Sequence, residues 1–288
     1  MKWVLKALKY LFSVVLVGGL AAYLWFWALP VGLNNYVNKV SIQMVLDSPK
    51  MITSLGLVDN TVLDFHSDKL DSYTAESEDQ ALAFLREARE GLDDYGPEGL
   101  EGQELLSWKI TAWFFDNILR SAEHKYSGYR VNQISGVMVN MPQFLTDQHR
   151  IANEQAAVNY LARLKEFGRV IDEVKVRVLD DRDNGVVAPD FILDKALVGM
   201  RSFSDNPVAN NPLVTSLQSS LDKLDDIDAE RKAELVADAT ALVAEEIIPG
   251  YQDMISLFEE LQLSANHDAG IWRLPNGQKI YIDALQSN

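Results

Sequence analysis

Histidine is the residue most often used for acid–base chemistry near neutral pH and for binding zinc. The chain contains four: His66, His124, His149 and His267. No two have the i, i+4 spacing that places two imidazoles on one helix face beside a glutamate. Each is therefore interpreted first as a surface or capping residue. His149 is the most interesting, because it closes the longest irregular segment of the sequence.

The acidic residues also fail to form a recognisable site. Residues 180–185 read Asp-Asp-Arg-Asp-Asn-Gly and superficially resemble a calcium loop. Arg182 occupies a ligand position, however, and Phe191 stands where the bidentate acid is expected. Adjacent acids such as Glu245 and Glu246 point in different directions on a helix and are interpreted as solvated groups. With no cysteine and no catalytic motif, no catalytic or metal-binding residue is assigned.

The net charge of the protein limits the kinds of molecule that it can bind. The net charge is −16, and the first thirty residues contain Lys2, Lys6 and Lys9 but no acid, so the remainder is more acidic still. A body of this charge repels phosphate backbones, which argues against nucleic-acid binding.

The N-terminal thirty residues are predicted to form a transmembrane anchor. Tyr10–Leu29 contains no charged residue and has about the length needed to cross a hydrocarbon core of roughly 30 Å. Aromatic residues lie near both ends, as in interfacial belts. Because lysines remain cytoplasmic, the sequence predicts a single-pass bacterial inner-membrane protein with residues 31–288 in the periplasm. The alternative, a cleaved signal peptide, usually has a shorter apolar core.

Residues 31–288 are predicted to be a mainly α-helical body. Ser48 followed by Pro49 is typical of a helix start, and Gly56 of its end. Long helices are expected over Glu104–His124, apolar on nearly all faces, and over Asn153–Asp181. Asp228 is expected to cap a later helix that Pro249-Gly250 bends or breaks.

A long irregular central loop, Tyr126–His149, is predicted to interrupt these helices. It contains two glycines, one proline and several amides, yet too many apolar residues to be disordered. Ordered irregular segments are often functional. The candidates for lining a cleft or for fixing the loop are Tyr129, Arg130, Asn132, Gln133 and His149. Buried amides and arginines in a loop more often satisfy backbone groups than contact a ligand.

The C-terminal end is predicted to be a β-hairpin. Residues 271–274 and 278–283 are rich in β-formers and are separated by Pro275-Asn-Gly277. An Asn-Gly pair between two such runs is a strong hairpin signal.

Several ordered segments resemble a known bacterial family. These are Tyr129-Arg-Val-Asn-Gln-Ile-Ser-Gly136, Met141-Pro-Gln-Phe-Leu145, Ile192–Arg201, Asn211-Pro-Leu213, Ile248-Pro-Gly-Tyr251 and Gly270–Gly277. On these the chain is similar to domain-of-unknown-function family 885, whose members are large, mainly helical and zinc-peptidase-like.

The resemblance implies a hydrolase ancestry acting on peptides. Typical members are about twice as long, and their proposed metal-binding His-Glu stretch lies in the C-terminal half, so the resemblance covers their N-terminal half. It implies zinc for full-length members but no cofactor in this chain, and it implies a C-terminal catalytic half as a partner. We therefore expect a portion that is inactive alone. The alternative is an anchored, non-catalytic envelope binding or scaffold protein, and an independent hydrolase is a third hypothesis.

Overall fold

The computed structural model describes residues 2–286, which fold mainly into α-helices and confirm the predicted class. The helices are α1 (Lys2–Tyr23), α2 (Leu33–Leu46), α3 (Pro49–Leu55), α4 (Ala75–Asp93), α5 (Gly102–Ala122), α6 (Val137–Asp147), α7 (Glu154–Asp183), α8 (Asp190–Ser204), α9 (Pro212–Leu221), α10 (Ala229–Leu242), α11 (Ile248–Gln262) and α12 (Gly277–Gln286). Leu24–Ala28 and Val243–Ile247 are π-helical turns, and Val208–Asn210 and Ile271–Arg273 are 3-10 turns.

The chain divides into two compact units, each with its own apolar core. The first consists of Met1–Asp47 and Ala81–Ala122, the second of Ser48–Gln80 and Glu123–Asn288. The chain passes between the units three times, and the second of these passages falls inside α4. The core of the first unit is formed by α2, α4 and α5.

The second unit is built around α7, the longest described helix. Its side chains Tyr160, Leu164, Phe167, Val170 and Ile171 are fully buried, and α6, α10 and α11 pack against it. Helix α8 packs on α11, while α9 packs on α6 and α10. Because α7 is enclosed by other helices, it needs apolar residues on several of its faces, and its sequence supplies them.

Several helix starts follow the predicted capping chemistry. The Ser48 hydroxyl accepts a hydrogen bond from the Met51 amide, and Gly56 ends α3 with a φ of 62°. Asp228 caps α10 by accepting from the Arg231 amide. Where a bend or break was predicted at Pro249-Gly250, α10 continues through the π-helical turn Val243–Ile247 into α11. Pro249 lies in the first turn of α11.

The prediction of an irregular segment extending to His149 is wrong over its second half. Helix α6 occupies Val137–Asp147 with Pro142 inside it. Proline has no N–H for the carbonyl four residues earlier, that of Met138. The Tyr251 hydroxyl donates to that carbonyl at 2.6 Å, so the helix continues through the proline.

The prediction of a C-terminal β-hairpin is also wrong, since residues 2–286 contain no strand. A two-residue type I′ hairpin turn needs positive φ at both central residues. Asn276 has a φ of 58°, whereas Gly277 does not share this conformation. The Gly277 amide donates to the Leu274 carbonyl at 3.0 Å, and the chain enters α12.

Helix α5 is more exposed than its sequence predicted. Ala112 and Phe115 are buried, but Leu106, Ile110, Trp113 and Phe114 are 49%, 56%, 55% and 44% exposed. The core of the first unit covers one side of this helix only, which leaves an apolar side uncovered.

At the N-terminus, α1 continues into the π-helical turn. Among residues 2–286, no single helix has both the length and the apolar character needed to cross a membrane. The segments Val15–Ala28 and Leu33–Leu46, bent by 84° relative to each other, meet the criteria for length and composition as a pair.

Tyr251→Phe should lower the free energy of unfolding by about 1–3 kcal/mol, because it leaves the buried Met138 carbonyl without a donor. In a Pro142→Ala background, residue 142 regains an N–H that can donate to Met138. The same Tyr251→Phe change should then cost clearly less.

Urea unfolding of the four proteins in this double-mutant cycle, followed by circular dichroism, measures the coupling. Equal costs of Tyr251→Phe in the two backgrounds would show that the tyrosine does not compensate for Pro142.

Candidate functional site

A cationic pocket of about 370 Å³ lies in the second unit, beside the central segment. Among the described residues that line it, none is acidic. They are Lys50, Tyr73, Arg130, Gly136, Val137, Asn140, Met141, Val174 and Arg177. In a chain with a net charge of −16, a pocket lined by three cations is distinctive.

Asp71 positions Lys50 by fixing the start of α3. One Asp71 oxygen accepts from the Ser48 hydroxyl at 2.9 Å, and the other accepts from the Lys50 amide at 3.1 Å. Ser48 in turn caps the helix. The side chain of Lys50 extends over the Phe144 ring, with its Nζ 5.8 Å from the ring centroid.

Carboxylates outside the pocket lining hold the two arginines in place. Arg130 Nε lies 2.9 Å from Asp181 Oδ2, and Arg177 pairs with Glu78 through Nη2. The Arg177 and Asp181 side chains are both buried. Burial raises the pKa of Asp181 above its ordinary value, against the opposing effect of Arg130 and Arg177.

The first turn of α6 supplies part of the pocket wall through Gly136, Val137 and Asn140. This helix has no side-chain cap and no acidic residue in its first turn, so its positive end is not neutralised locally. Gly136 has a φ of 106°, and a Cβ there would lie 2.5 Å from the Arg130 carbonyl oxygen. Glycine is therefore required for the chain to bring Arg130 beside the helix start.

The pocket has the chemistry of an anion-binding site. Arginine and lysine donate charge-assisted hydrogen bonds to carboxylates and phosphates. Burial raises the pKa of Tyr73 to about 12, so its hydroxyl keeps its proton at neutral pH. Residues 2–286 contain no group of three or more His, Cys, Asp or Glu placed to hold a metal ion.

A larger groove of about 970 Å³ shares Arg177 with the cationic pocket. Its walls carry both signs of charge, with Lys165 and Arg169 on one hand and Asp172, Glu173 and Glu246 on the other. Pro249, Gly250 and Val176 add apolar surface. Mixed charge beside apolar surface suits an extended chain of peptide groups rather than a uniformly charged polymer.

Of the five candidate cleft-lining residues, Arg130 lines the cationic pocket, and the others lie elsewhere. Asn132 Oδ1 accepts from the amides of Ile134 and Ser135 at 2.8 and 2.9 Å, which fixes a turn in the segment. Gln133 Oε1 is buried and has no hydrogen-bond partner among the described residues. Tyr129 is hydrogen-bonded to the Arg273 side chain, and burial raises the pKa of the Tyr129 hydroxyl.

His149 lies in the interior, next to a fully buried arginine. Its Nδ1 is 2.8 Å from Arg163 Nη1, and its Nε2 is 2.9 Å from the Ala156 carbonyl oxygen. Arginine can only donate, so Nδ1 accepts and the proton resides on Nε2. Burial, followed by the repulsion from Arg163, lowers the pKa of His149 to about 4.

Arg163 uses further donors on α3 and on the chain between α3 and α4. Its Nε donates to the Lys69 carbonyl at 3.0 Å, and its Nη2 donates to the Thr53 hydroxyl at 2.7 Å. These bonds hold the residues that precede and follow His66 against α7. The ring nitrogens of His66 lie 2.8 Å from Asp59 Oδ1 and 3.2 Å from Asp64 Oδ1.

Sequence reasoning missed Lys50, Tyr73, Asn140 and Arg177. They are distributed over α3, the stretch before α4, α6 and α7, and no spacing within the chain relates them. The excess of acidic residues in the rest of the chain also gives no indication that a few basic side chains lie close together in the fold.

The free energy of unfolding should decrease as the pH falls from 6.5 to 4 because of His149. The unfolded state binds this proton near pH 6.5, whereas the folded state resists it until about pH 4. The contribution is complete above pH 6.5, and about 3 kcal/mol of it is lost by pH 4.

His149→Gln removes this titration and retains an acceptor for Arg163. Urea unfolding between pH 7.5 and 4.5 should show the wild type losing stability faster than the variant. Parallel pH profiles would contradict the assignment of a neutral, buried His149.

Comparison with known proteins identifies the family of this chain. The family model described as "Bacterial protein of unknown function (DUF885)" matches residues 49–288. Among solved structures, the chain is similar to "the putative lipoprotein from Colwellia psychrerythraea", with a TM-score of 0.68 and 19% identity over 87% of this chain. At that identity the likeness establishes a shared fold.

The chain spans 46% of the length of that solved protein. No match was found among curated proteins. Since the family model covers most of the sequence, this chain belongs to the bacterial family DUF885.

Proposed function

We propose that this chain forms the N-terminal, peptide-binding wall of a peptidase-like hydrolase at the bacterial inner membrane. Catalysis would require a C-terminal part, which supplies the zinc site that the family resemblance implies for full-length members. The observation that carries the proposal is an uncovered apolar surface on α12.

One face of α12 is exposed while the other is fixed to the second unit. Tyr281, Ile282 and Leu285 are 53%, 45% and 59% exposed, and the preceding Trp272 is 75% exposed. On the inner side, Ile280 is buried, and Asp283 lies 2.6 Å from His124 Nε2. An ordered helix that presents several large apolar residues to solvent is typical of a protein–protein interface.

The proposed occupant of this face is the C-terminal part of a DUF885 protein. More than half of the Colwellia structure lies outside the region that this chain matches, so the shared fold occurs beside further polypeptide in that protein. Apolar burial against such a part would stabilise the pair by roughly 25 cal/mol per Å² of apolar area.

The peptide would use the charged groove and the cationic pocket together. Arg177 lines both, so a peptide lying in the groove could direct its terminal carboxylate at Lys50, Arg130 and Arg177. Bidentate pairing between arginine and a carboxylate would orient the chain. In this arrangement the residues of this chain bind and position the substrate.

The N-terminal segment would anchor the protein in the membrane. Tyr10–Leu29 contains no charged residue and follows three lysines, an arrangement that keeps the N-terminus cytoplasmic. The body would then lie in the periplasm.

Ile282→Asp with Leu285→Asp should abolish binding of the catalytic part and leave the isolated chain folded, because both side chains are exposed. The probe is the polypeptide encoded after the Asn288 codon or by the adjacent gene, provided that it carries the His-Glu stretch. Co-purification and chelator-sensitive peptide hydrolysis by the pair are the readouts.

Val198→Asp is the matched control, since Val198 is 66% exposed on α8 of the same unit. Peptide hydrolysis by this chain alone would overturn the proposal. The absence of any encoded second part with that stretch would favour a non-catalytic envelope binding protein.

Lys50→Gln should weaken binding of an N-acetylated peptide with a free carboxylate by about tenfold, because one charge-assisted bond is lost. The same peptide with an amidated C-terminus should bind weakly to both proteins. Isothermal titration calorimetry measures these affinities, and inorganic phosphate serves as a competitor.

Lys195→Gln, at an exposed position on α8, controls for the loss of one positive charge. Equal affinities for the free and amidated peptides would exclude carboxylate recognition at this pocket.

A further inference from the structure

The exposed side of α5 forms an apolar stripe, defined by Leu106, Ile110, Trp113 and Phe114. Their spacing of i, i+4, i+7 and i+8 places them on one face of the helix. Each is between 44% and 56% exposed. In contrast, Trp108 on the same helix is partly buried and donates through Nε1 to the Leu92 carbonyl at 3.2 Å.

The apolar stripe and its immediate neighbours carry no acidic side chain. Residues 105–115 contain one charged side chain, Lys109, which is exposed. The whole chain has 42 acidic residues against 26 basic ones, whereas α5 has no acidic residue between Glu104 and Asp116. An apolar stripe that contains tryptophan and is accompanied by lysine has the composition of a helix lying in a lipid–water interface.

The stripe belongs to the unit that contains the N-terminal apolar segment. Four residues, 29–32, separate the π-helical turn from α2, and α2 runs at 84° to Val15–Ala28. If the N-terminal segment lies along the membrane normal, α2 must run nearly parallel to the membrane surface.

Helix α2 also carries α5. Leu33, Tyr36 and Val40 of α2 share a core with Ala112 and Phe115 of α5. The first unit is fixed further to the chain that leaves the apolar segment, because the Tyr95 hydroxyl donates to the Pro30 carbonyl at 2.5 Å. With the N-terminal segment in the bilayer, the short connections and the shared core would keep α5 close to the membrane surface.

We propose that the apolar stripe of α5 inserts into the interfacial region of the lipid bilayer and holds the first unit against the membrane. The inference rests on the membrane anchor of the proposed function. Lipid is preferred to a protein occupant because of the unit's continuity with the N-terminal segment and because acidic side chains are missing from the stripe.

The chain has no cysteine, so a single introduced cysteine can carry an environment-sensitive fluorophore at a chosen site. Ile110→Cys and the control Val198→Cys on α8, both at exposed positions, are labelled with NBD. The labelled proteins, each comprising residues 1–288, are then reconstituted into phosphatidylcholine–phosphatidylglycerol vesicles. Flotation reports the anchor, while NBD emission and quenching by nitroxide lipids report insertion at each site.

With the vesicles, the label at position 110 should shift to shorter wavelength and be quenched by the nitroxide lipids. The label at position 198 should respond to neither. Co-flotation without a response at position 110 would overturn the insertion of α5 and leave the anchor intact. Failure to float would overturn both. Protection of position 110 from nitroxide lipids on addition of the catalytic part would assign the stripe to that partner instead.

Discussion

The second unit depends on the burial of one positive charge, that of Arg163. Its side chain is fully buried on α7, and desolvation lowers its pKa to about 10, so it remains charged at neutral pH. A buried guanidinium is tolerated only when its donors are occupied. Arg163 makes four hydrogen bonds, to His149 and to oxygen atoms of Thr53, His66 and Lys69. Together they fix the chain from α3 to α4 and the end of the central segment.

A second local constraint places the anion pocket. Pro142 leaves the Met138 carbonyl without an intrahelical donor, and Tyr251 supplies one from α11. Gly136 permits the close turn that brings the Arg130 backbone beside the start of α6. One proline, one tyrosine and one glycine thus contribute to the placement of α6, and the uncapped helix start forms part of the pocket wall.

The sequence predicted features whose cause is local. Ser48 and Asp228 cap helices because their oxygen atoms reach amides three residues ahead. Gly56 is predicted to end α3 because glycine can adopt the positive φ that a helix end often needs. Features that depend on distant residues were missed. Nothing near Pro142 indicates that Tyr251 will compensate for the missing N–H. An Asn-Gly pair such as Asn276-Gly277 occurs both in hairpin turns and at helix starts, so it does not distinguish the two.

The candidate site shows the same limit more strongly. Arg130 could be singled out because it stands in an irregular segment, but Lys50 and Arg177 belong to ordinary helical patterns. Asp71 fixes the backbone of Lys50, while Glu78 and Asp181 pair with the side chains of Arg177 and Arg130 from outside the pocket lining. Those carboxylates cancel much of the local charge, so an anion would be bound by aligned donors rather than by net positive charge.

The net charge of −16 acts over longer distances, and at physiological salt it is screened beyond about 8 Å. An anionic ligand should therefore be repelled at low salt before it reaches the pocket, and donor geometry should decide its affinity once that repulsion is screened.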